Sequence, residues 1–139
     1  MTDQAVRTTV EVEVRYAETD QMGVAHHANY LVWFELARTN LCTHSGFHYS
    51  RIEELGYLLM VTAAEVRYRR GARYADRLQV VAWLERFASR GLRFAYEVLR
   101  GEELLATGAT EHVWVNASTG RLCSTPELLR EPFAMLAGS

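Results

Sequence analysis

The segment spanning residues 15–30 holds the residue types that could do chemistry. It places Asp20 after an alternating strand, a glycine turn at Gly23, and then His26 and His27 at the start of an apolar helix. A carboxylate can activate water. Free N–H groups in the first turn of a helix can hold the negative charge that develops on an attacked carbonyl oxygen. The pattern therefore indicates a hydrolytic site.

Asp20 has three possible roles. It could act as a general base toward water, attack a carbonyl directly, or close an Asx-turn at the helix start. We expect partial burial of Asp20 against Val24 and Trp33, which would strengthen it as a base. Adjacent histidines at a helix start point about 100° apart and no third ligand stands at a metal-binding spacing, so we expect neither a metal nor another cofactor.

Hydrophobic periodicity predicts the elements that position this segment. Residues 7–16 alternate as a half-buried strand, and residues 17–27 form a loop. From Ala28 to about Gly46, large apolar residues recur at helical spacing, with Asn29 as the expected N-cap. Further elements are expected at 48–56 (helix), 58–70, 77–87, 92–100 and 104–116 (strands), and 126–136 (helix).

The element order predicts an α+β fold in one domain, residues 1–139, with a five-stranded antiparallel sheet around one long central helix. One helix covers only part of such a sheet. The uncovered apolar face and the sheet edges therefore predict a homodimer or a tetramer.

Composition limits the possible partners. The formal net charge is -2, which favours neither nucleic acid nor an anionic membrane surface. All 15 basic residues are arginine, so no mechanism can use a catalytic lysine. Cys42 and Cys123 form no CxxC pair, so we expect both thiols to be reduced. The sequence shows no leader-like stretch and no stretch long enough to span a membrane, so we expect a cytoplasmic location.

Four short motifs carry a resemblance to a known family. They read YAETD at 16–20, MGV at 22–24, HANY at 27–30 and FELAR at 34–38, with a weaker similarity at 66–68 and 72–76. The chain resembles the hot-dog-fold acyl-CoA thioesterases, in the branch of 4-hydroxybenzoyl-CoA thioesterase and the Tol-Pal-associated thioesterases. The resemblance implies a helix wrapped by an antiparallel sheet, dimers whose sheets join, and active sites at the subunit interface.

The resemblance also implies roles for individual residues. Asp20 would be the catalytic carboxylate, and His27 would present its backbone N–H to the thioester carbonyl. Many relatives carry tyrosine where this chain has His26, so the His26 ring could either line the pocket or pack. The residues expected to contact the acyl-CoA substrate are Gly23, Val24, His26, Tyr30, Met60 and Arg90.

Arg90, in a predicted turn, is the first candidate to hold the phosphates of coenzyme A, with Arg70 and Arg73 as alternatives. Met60 would line the slot for the acyl group. Two rival functions stay open at this point. The first is hydration or dehydration of enoyl- or hydroxyacyl-CoA on the same fold, and the second is acyl-CoA binding without catalysis.

Overall fold

The computed structural model describes residues 4–138 and confirms an α+β architecture. The strands are β1 (Arg7–Glu13), β2 (Tyr57–Tyr68), β3 (Arg77–Phe87), β4 (Gly91–Arg100), β5 (Glu103–Asn116) and β6 (Leu122–Cys123). The helices are α1 (Ala28–Thr43), α2 (Tyr49–Glu54) and α3 (Glu127–Ala137), with a 3₁₀ turn at Tyr16–Glu18.

The sheet is antiparallel and has six strands, in the order β1-β3-β4-β5-β2, with β6 also paired to β5. The expectation of five strands is therefore wrong by one. β4 pairs with β5 as far as Val113, which lies opposite Gly91. Beyond that point β6 pairs with the same side of β5, at Trp114 and Val115. A two-residue strand carries no periodicity, so β6 could not be predicted from hydrophobic patterning.

α1 lies across the inner face of the sheet. Its predicted apolar stripe is confirmed, because Tyr30, Trp33, Phe34, Ala37 and Leu41 are all buried. The Phe34 ring stacks on Tyr96 of β4, with centroids 4.3 Å apart and planes 3° apart. Gly108 of β5 lets the Phe34 ring approach the strand backbone, since a Cβ there would overlap the ring. This packing fixes the direction in which the start of α1 points.

α3 covers another part of the inner face. Leu129, Phe133 and Leu136 are buried on one side of this helix. The Phe133 ring packs against Trp114 and Phe87, at centroid distances of 5.6 Å and 6.1 Å. The predicted helix over 126–136 is therefore confirmed within one residue at each end.

Among the described residues, the edge strand β2 and the outer face of α1 are not covered by the rest of the chain. Within residues 4–138, β2 pairs only with β5, and most of its side chains are exposed. α1 is apolar on its outer side as well, where Leu31, Val32 and Leu36 are exposed. A helix that is hydrophobic all round is normally covered on all sides.

Two local expectations are wrong. Tyr16 does not continue β1, because the chain turns into the 3₁₀ segment and leaves this ring exposed. Asn29 does not cap α1 either, because its side-chain amide donates to the carbonyl oxygens of Glu18 and His26. Within residues 4–138, no helix combines the length and the hydropathy needed to cross a bilayer.

Candidate active site

A tight turn carries Asp20. Thr19 and Ala25 form an isolated antiparallel bridge, and the Asp20 N–H donates to the Val24 carbonyl at 2.9 Å. The turn between them is closed by the Gly23 N–H, which donates to the Asp20 carbonyl at 3.0 Å. Gly23 has φ +79°, a conformation that side chains other than hydrogen rarely adopt. The glycine turn that the sequence predicted at this position is confirmed.

The Asp20 carboxylate is held through one of its two oxygens. Oδ1 accepts the Met22 N–H at 2.8 Å and the Val24 N–H at 3.4 Å, so the Asx-turn considered from sequence is present. Oδ2 has no hydrogen-bond donor among the described residues. The turn therefore orients Asp20 without using up its capacity to accept a proton or to attack.

Asp20 is not the buried carboxylate that we expected. It is exposed in the single chain, and the buried carboxylate is Glu18, at 6% relative exposure. Glu18 accepts the Arg15 N–H at 2.8 Å and lies 3.5 Å from the Arg15 guanidinium. Its carbonyl oxygen accepts the N–H of His26 at 2.6 Å. Glu18 thus fixes the loop that precedes α1 and has no position open to substrate.

His27 is the N-cap residue of α1, and its backbone N–H donates to no acceptor among the described residues. Its carbonyl oxygen accepts the Tyr68 hydroxyl at 3.3 Å. The His27 ring stacks on the His26 ring, with centroids 4.1 Å apart. His26 Nδ1 accepts the Ala28 N–H at 3.2 Å, so the His26 ring helps to cap the helix start. In the described part of the chain, no three metal-ligating side chains converge.

A cavity of about 280 Å³ opens beside the start of α1. Four of the residues expected at the site line it: Asp20, Val24, His27 and Tyr30. The remaining lining residues are Ala25, Tyr68, Arg69, Arg70 and Gly71. Gly23 and His26 lie in the adjoining turn and helix start without lining the cavity. One cleft is therefore lined both by Asp20 and by His27, whose N–H has no acceptor among residues 4–138.

The structure does not bring Met60 or Arg90 to this cavity within one chain. Met60 pairs with Val113, which also pairs with Gly91 next to Arg90. Tyr68, at the cavity, lies eight residues further along β2, which corresponds to about 25 Å of strand. A bulge at Thr62 also reverses the alternation, so Met60 lies on the outer face of the sheet and Tyr68 on the inner face.

Sequence reasoning named Arg70 as an alternative phosphate ligand, but it missed that Tyr68, Arg69 and Gly71 line the cavity as well. Their signal was the weak similarity at 66–68 and 72–76, but only strand pairing brings this segment to the Asp20 loop. Ala25 donates its N–H to the Ala72 carbonyl at 2.7 Å, and Val24 forms a bridge with Arg73. A Cβ on Gly71 would lie 2.6 Å from Val24 Cγ1, so glycine permits this close approach.

Two tyrosines form the apolar wall of the cavity. The Tyr30 and Tyr68 rings meet edge to face, with centroids 5.0 Å apart. Burial raises the pKa of both phenols above 10.0, so both hydroxyls stay protonated at neutral pH. They can donate hydrogen bonds but cannot serve as bases there.

A long central helix lying on an antiparallel sheet is the architecture of the hot-dog-fold thioesterases. The chain belongs to the thioesterase-like superfamily, whose family model matches residues 14–133. It is 38% identical over 107 residues to a Bacillus subtilis protein provisionally named acyl-CoA thioesterase YneP, an alignment that covers 76% of this chain and 78% of that protein.

Two solved structures are similar over most of the chain. A hypothetical protein from Thermus thermophilus, TT1821, is 35% identical with a TM-score of 0.89, covering 94% of this chain and 98% of its own. The DHNA-CoA thioesterase from Staphylococcus aureus is 31% identical with a TM-score of 0.88, covering 94% of this chain and 90% of its own. These similarities confirm the family and the fold that the four motifs suggested.

Proposed function

We propose that this thioesterase hydrolyses an acyl-CoA to a carboxylic acid and free coenzyme A, using the Asp20 carboxylate and the His27 backbone N–H. The observation that carries the proposal is the cavity that Asp20 and His27 share. Among residues 4–138, one Asp20 carboxylate oxygen has no hydrogen-bond donor and the His27 N–H has no acceptor. The names of relatives, among them a DHNA-CoA thioesterase, support coenzyme A as the carrier of the acyl group.

A thioester needs no metal or cofactor to be hydrolysed, because its carbonyl is electrophilic and a thiolate is a fair leaving group. Asp20 could take a proton from water as the water oxygen bonds to the carbonyl carbon. Alternatively, Asp20 could attack that carbon, release the thiolate, and form an anhydride that water opens. In both routes the carbonyl oxygen gains negative charge, which the His27 N–H would stabilise.

The His27 N–H can be tested directly, because His27 has φ -55°, close to the value that proline requires. His27→Pro removes the N–H without breaking a hydrogen bond found among the described residues. We expect His27→Pro to lose about 10²–10³-fold in kcat, as for other single oxyanion donors. His27→Ala is the matched control, since it removes the ring but keeps the N–H, and it should retain most of the activity.

The Asp20 carboxylate is tested with a panel of acyl-CoAs and a reagent that detects the released thiol. Asp20→Asn can still accept the Met22 N–H, so the turn should persist while kcat falls by about 10²–10⁴-fold. Wild-type activity in both Asp20→Asn and Asp20→Ala would refute the proposal. Loss of enoyl-CoA absorbance without thiol release would instead favour a hydratase, and tight binding without turnover would favour a non-catalytic role.

We also infer that the enzyme is a homodimer joined along β2, which could pair again into a tetramer. The uncovered edge of β2 and the apolar outer side of α1 support this assembly. If two β2 edges met antiparallel, the Tyr57 end of one strand would lie near the Tyr68 end of the other. The partner's Arg90 turn would then approach the cavity, which is the arrangement that a substrate role for Arg90 or Met60 requires.

The assembly is tested by Leu36→Glu on the outer side of α1. We expect this variant to be monomeric by light scattering and to lose specific activity, because a charge cannot be buried there without a partner. Met135→Glu is the matched control, since Met135 is an exposed apolar residue on α3, away from the outer side of α1. A wild-type chain that is already monomeric, or a Leu36→Glu variant that keeps the mass of the wild-type assembly, would overturn the dimer proposal. Both cysteines are free thiols, which supports a cytoplasmic location.

A further inference from the structure

Positive charge is concentrated beside the candidate active site. Residues 67–73 contain four arginines in a chain whose net charge is -2. Arg70 pairs with Glu103 at 3.1 Å. Within residues 4–138, the guanidinium groups of Arg69 and Arg73 form no ion pair and no hydrogen bond. Unpaired arginines at the edge of a cavity favour an anionic ligand.

Arg73 lies against the loop that carries Asp20. Its backbone forms the bridge with Val24, and its N–H donates to Asp76 Oδ2 at 2.8 Å. Its Nη1 atom would lie 3.6 Å from a Cβ on Gly23, so the guanidinium sits directly over that glycine. The backbone of Arg73 is thus held in place, while all the donors of its side chain stay open to a ligand.

Two exposed tyrosines stand next to Arg73. Tyr16 is 77% exposed and Tyr74 is 59% exposed, and their rings meet edge to face with centroids 5.7 Å apart. Among the described residues, neither hydroxyl has a hydrogen-bond partner. An edge-to-face pair leaves a ring face available, and such a face can stack on a planar base. An aromatic pair beside an unpaired guanidinium suits a ligand that combines a base with a phosphate.

We propose that Arg73, Tyr74 and Tyr16 form a subsite for the adenine nucleotide end of coenzyme A, on the same chain as Asp20 and His27. The subsite rests on the proposed function, because it assumes that the acyl group arrives on coenzyme A. It lies beside the cavity, whereas Arg90 of the same chain is about 25 Å further along the sheet. Arg73 would bind a phosphate group, and one of the two tyrosine rings would stack on the adenine base. The thioester at the other end of the substrate would enter the cavity.

The first test measures the binding of adenosine 3′,5′-bisphosphate to the full chain by calorimetry. We expect Arg73→Ala to weaken binding about tenfold or more, because a charge-assisted contact to phosphate is lost. Tyr74→Ala should weaken binding by about fivefold or more, and Tyr74→Phe should bind like the wild type because it keeps the stacking ring. Arg121→Ala is the matched control, since Arg121 is an exposed arginine in the turn before β6.

The second test compares an acyl-CoA with the corresponding S-acyl pantetheine, which lacks the nucleotide. Arg73→Ala should raise KM for the acyl-CoA and leave kcat and the pantetheine reaction unchanged. An unchanged affinity for the nucleotide and an unchanged KM in both Arg73→Ala and Tyr74→Ala would overturn the subsite, even if hydrolysis persists. Conversely, Arg73-dependent nucleotide binding without any thioester hydrolysis would support the subsite and refute the proposed function.

Discussion

Acid should destabilise the fold through one buried imidazole, that of His112 on β5. The side chain is 1% exposed, and Nε2 lies 2.8 Å from the Thr110 hydroxyl. The Thr110 hydroxyl lies 2.6 Å from the Tyr96 hydroxyl, which accepts a hydrogen bond from Arg38 at 3.1 Å. Burial, and then the positive charge of Arg38, lower the pKa of His112 from 6.5 to about 3. His112 is therefore neutral in the folded protein at neutral pH.

The sign and the size of the effect follow from these two pKa values. Between pH 6.5 and about 3, the unfolded chain binds one proton at His112 that the folded chain does not. Stability therefore falls as the pH falls through this window, by about 1.4 kcal/mol per pH unit. Acidification from pH 7.5 to 5 should remove about 2 kcal/mol from the free energy of unfolding.

Urea unfolding at pH 7.5, 6 and 5, at one protein concentration, measures this loss. His112→Gln should start from a lower stability but lose about 2 kcal/mol less than the wild type over this range. His44→Gln, which replaces an exposed histidine, should keep the wild-type slope. Burial alone would raise the pKa of Asp76, but hydrogen bonds from the Arg73 N–H and from Arg100 outweigh it, so the pKa of Asp76 is lowered. The stability that the ionised Asp76 contributes is therefore lost only at a more acidic pH than this range. Equal slopes in His112→Gln and the wild type would refute the reasoning.

Two further predictions concern the core. Gly108→Ala should lower the free energy of unfolding by about 1–3 kcal/mol, because the new methyl group would overlap the Phe34 ring. A thermal melt checks this against Gly91→Ala, where the new Cβ would make only an ordinary contact, 3.6 Å from the His112 carbonyl oxygen. Burial raises the pKa of the Cys42 thiol to about 12, whereas Cys123 is only partly buried. Mass spectrometry after alkylation of the folded protein at pH 8 should therefore find the label on Cys123, and labelling of Cys42 at the same rate would contradict the packing.

The parts of the fold that local sequence determines were predicted well. α1 was predictable because its buried residues repeat every three or four positions, and no distant contact changes that pattern. The proximity of Asp20 and His27, which line one cavity, was predictable because only a tight turn and the helix start separate them. The chain between them is too short to place them in different parts of the molecule.

The parts that depend on distant contacts were predicted less well. Asn29 has the residue type of an N-cap, but the Glu18 carbonyl takes its amide in a contact that helix propensity does not contain. Met60 was expected to line the slot for the acyl group. The bulge at Thr62 inserts one residue and turns Met60 outward. Such a bulge has no strong sequence signal, since Thr62 suits a regular strand equally well.

Because Asp20 is exposed in the single chain, the reactivity of its carboxylate should depend on the proposed dimer contact. A carboxylate in contact with bulk water is well solvated, so the fixed dipoles of a site affect it little. Exclusion of water makes the carboxylate a stronger base and also strengthens the hydrogen bond that holds an oxyanion. The chain alone leaves Asp20 exposed, although the adjoining α1 and β2 surfaces are apolar and uncovered. A second copy seated on those surfaces would remove water from the cavity while burying the apolar residues. The same contact would therefore stabilise the dimer and activate the carboxylate, so disruption of the interface should lower kcat even where Asp20 and His27 are unchanged.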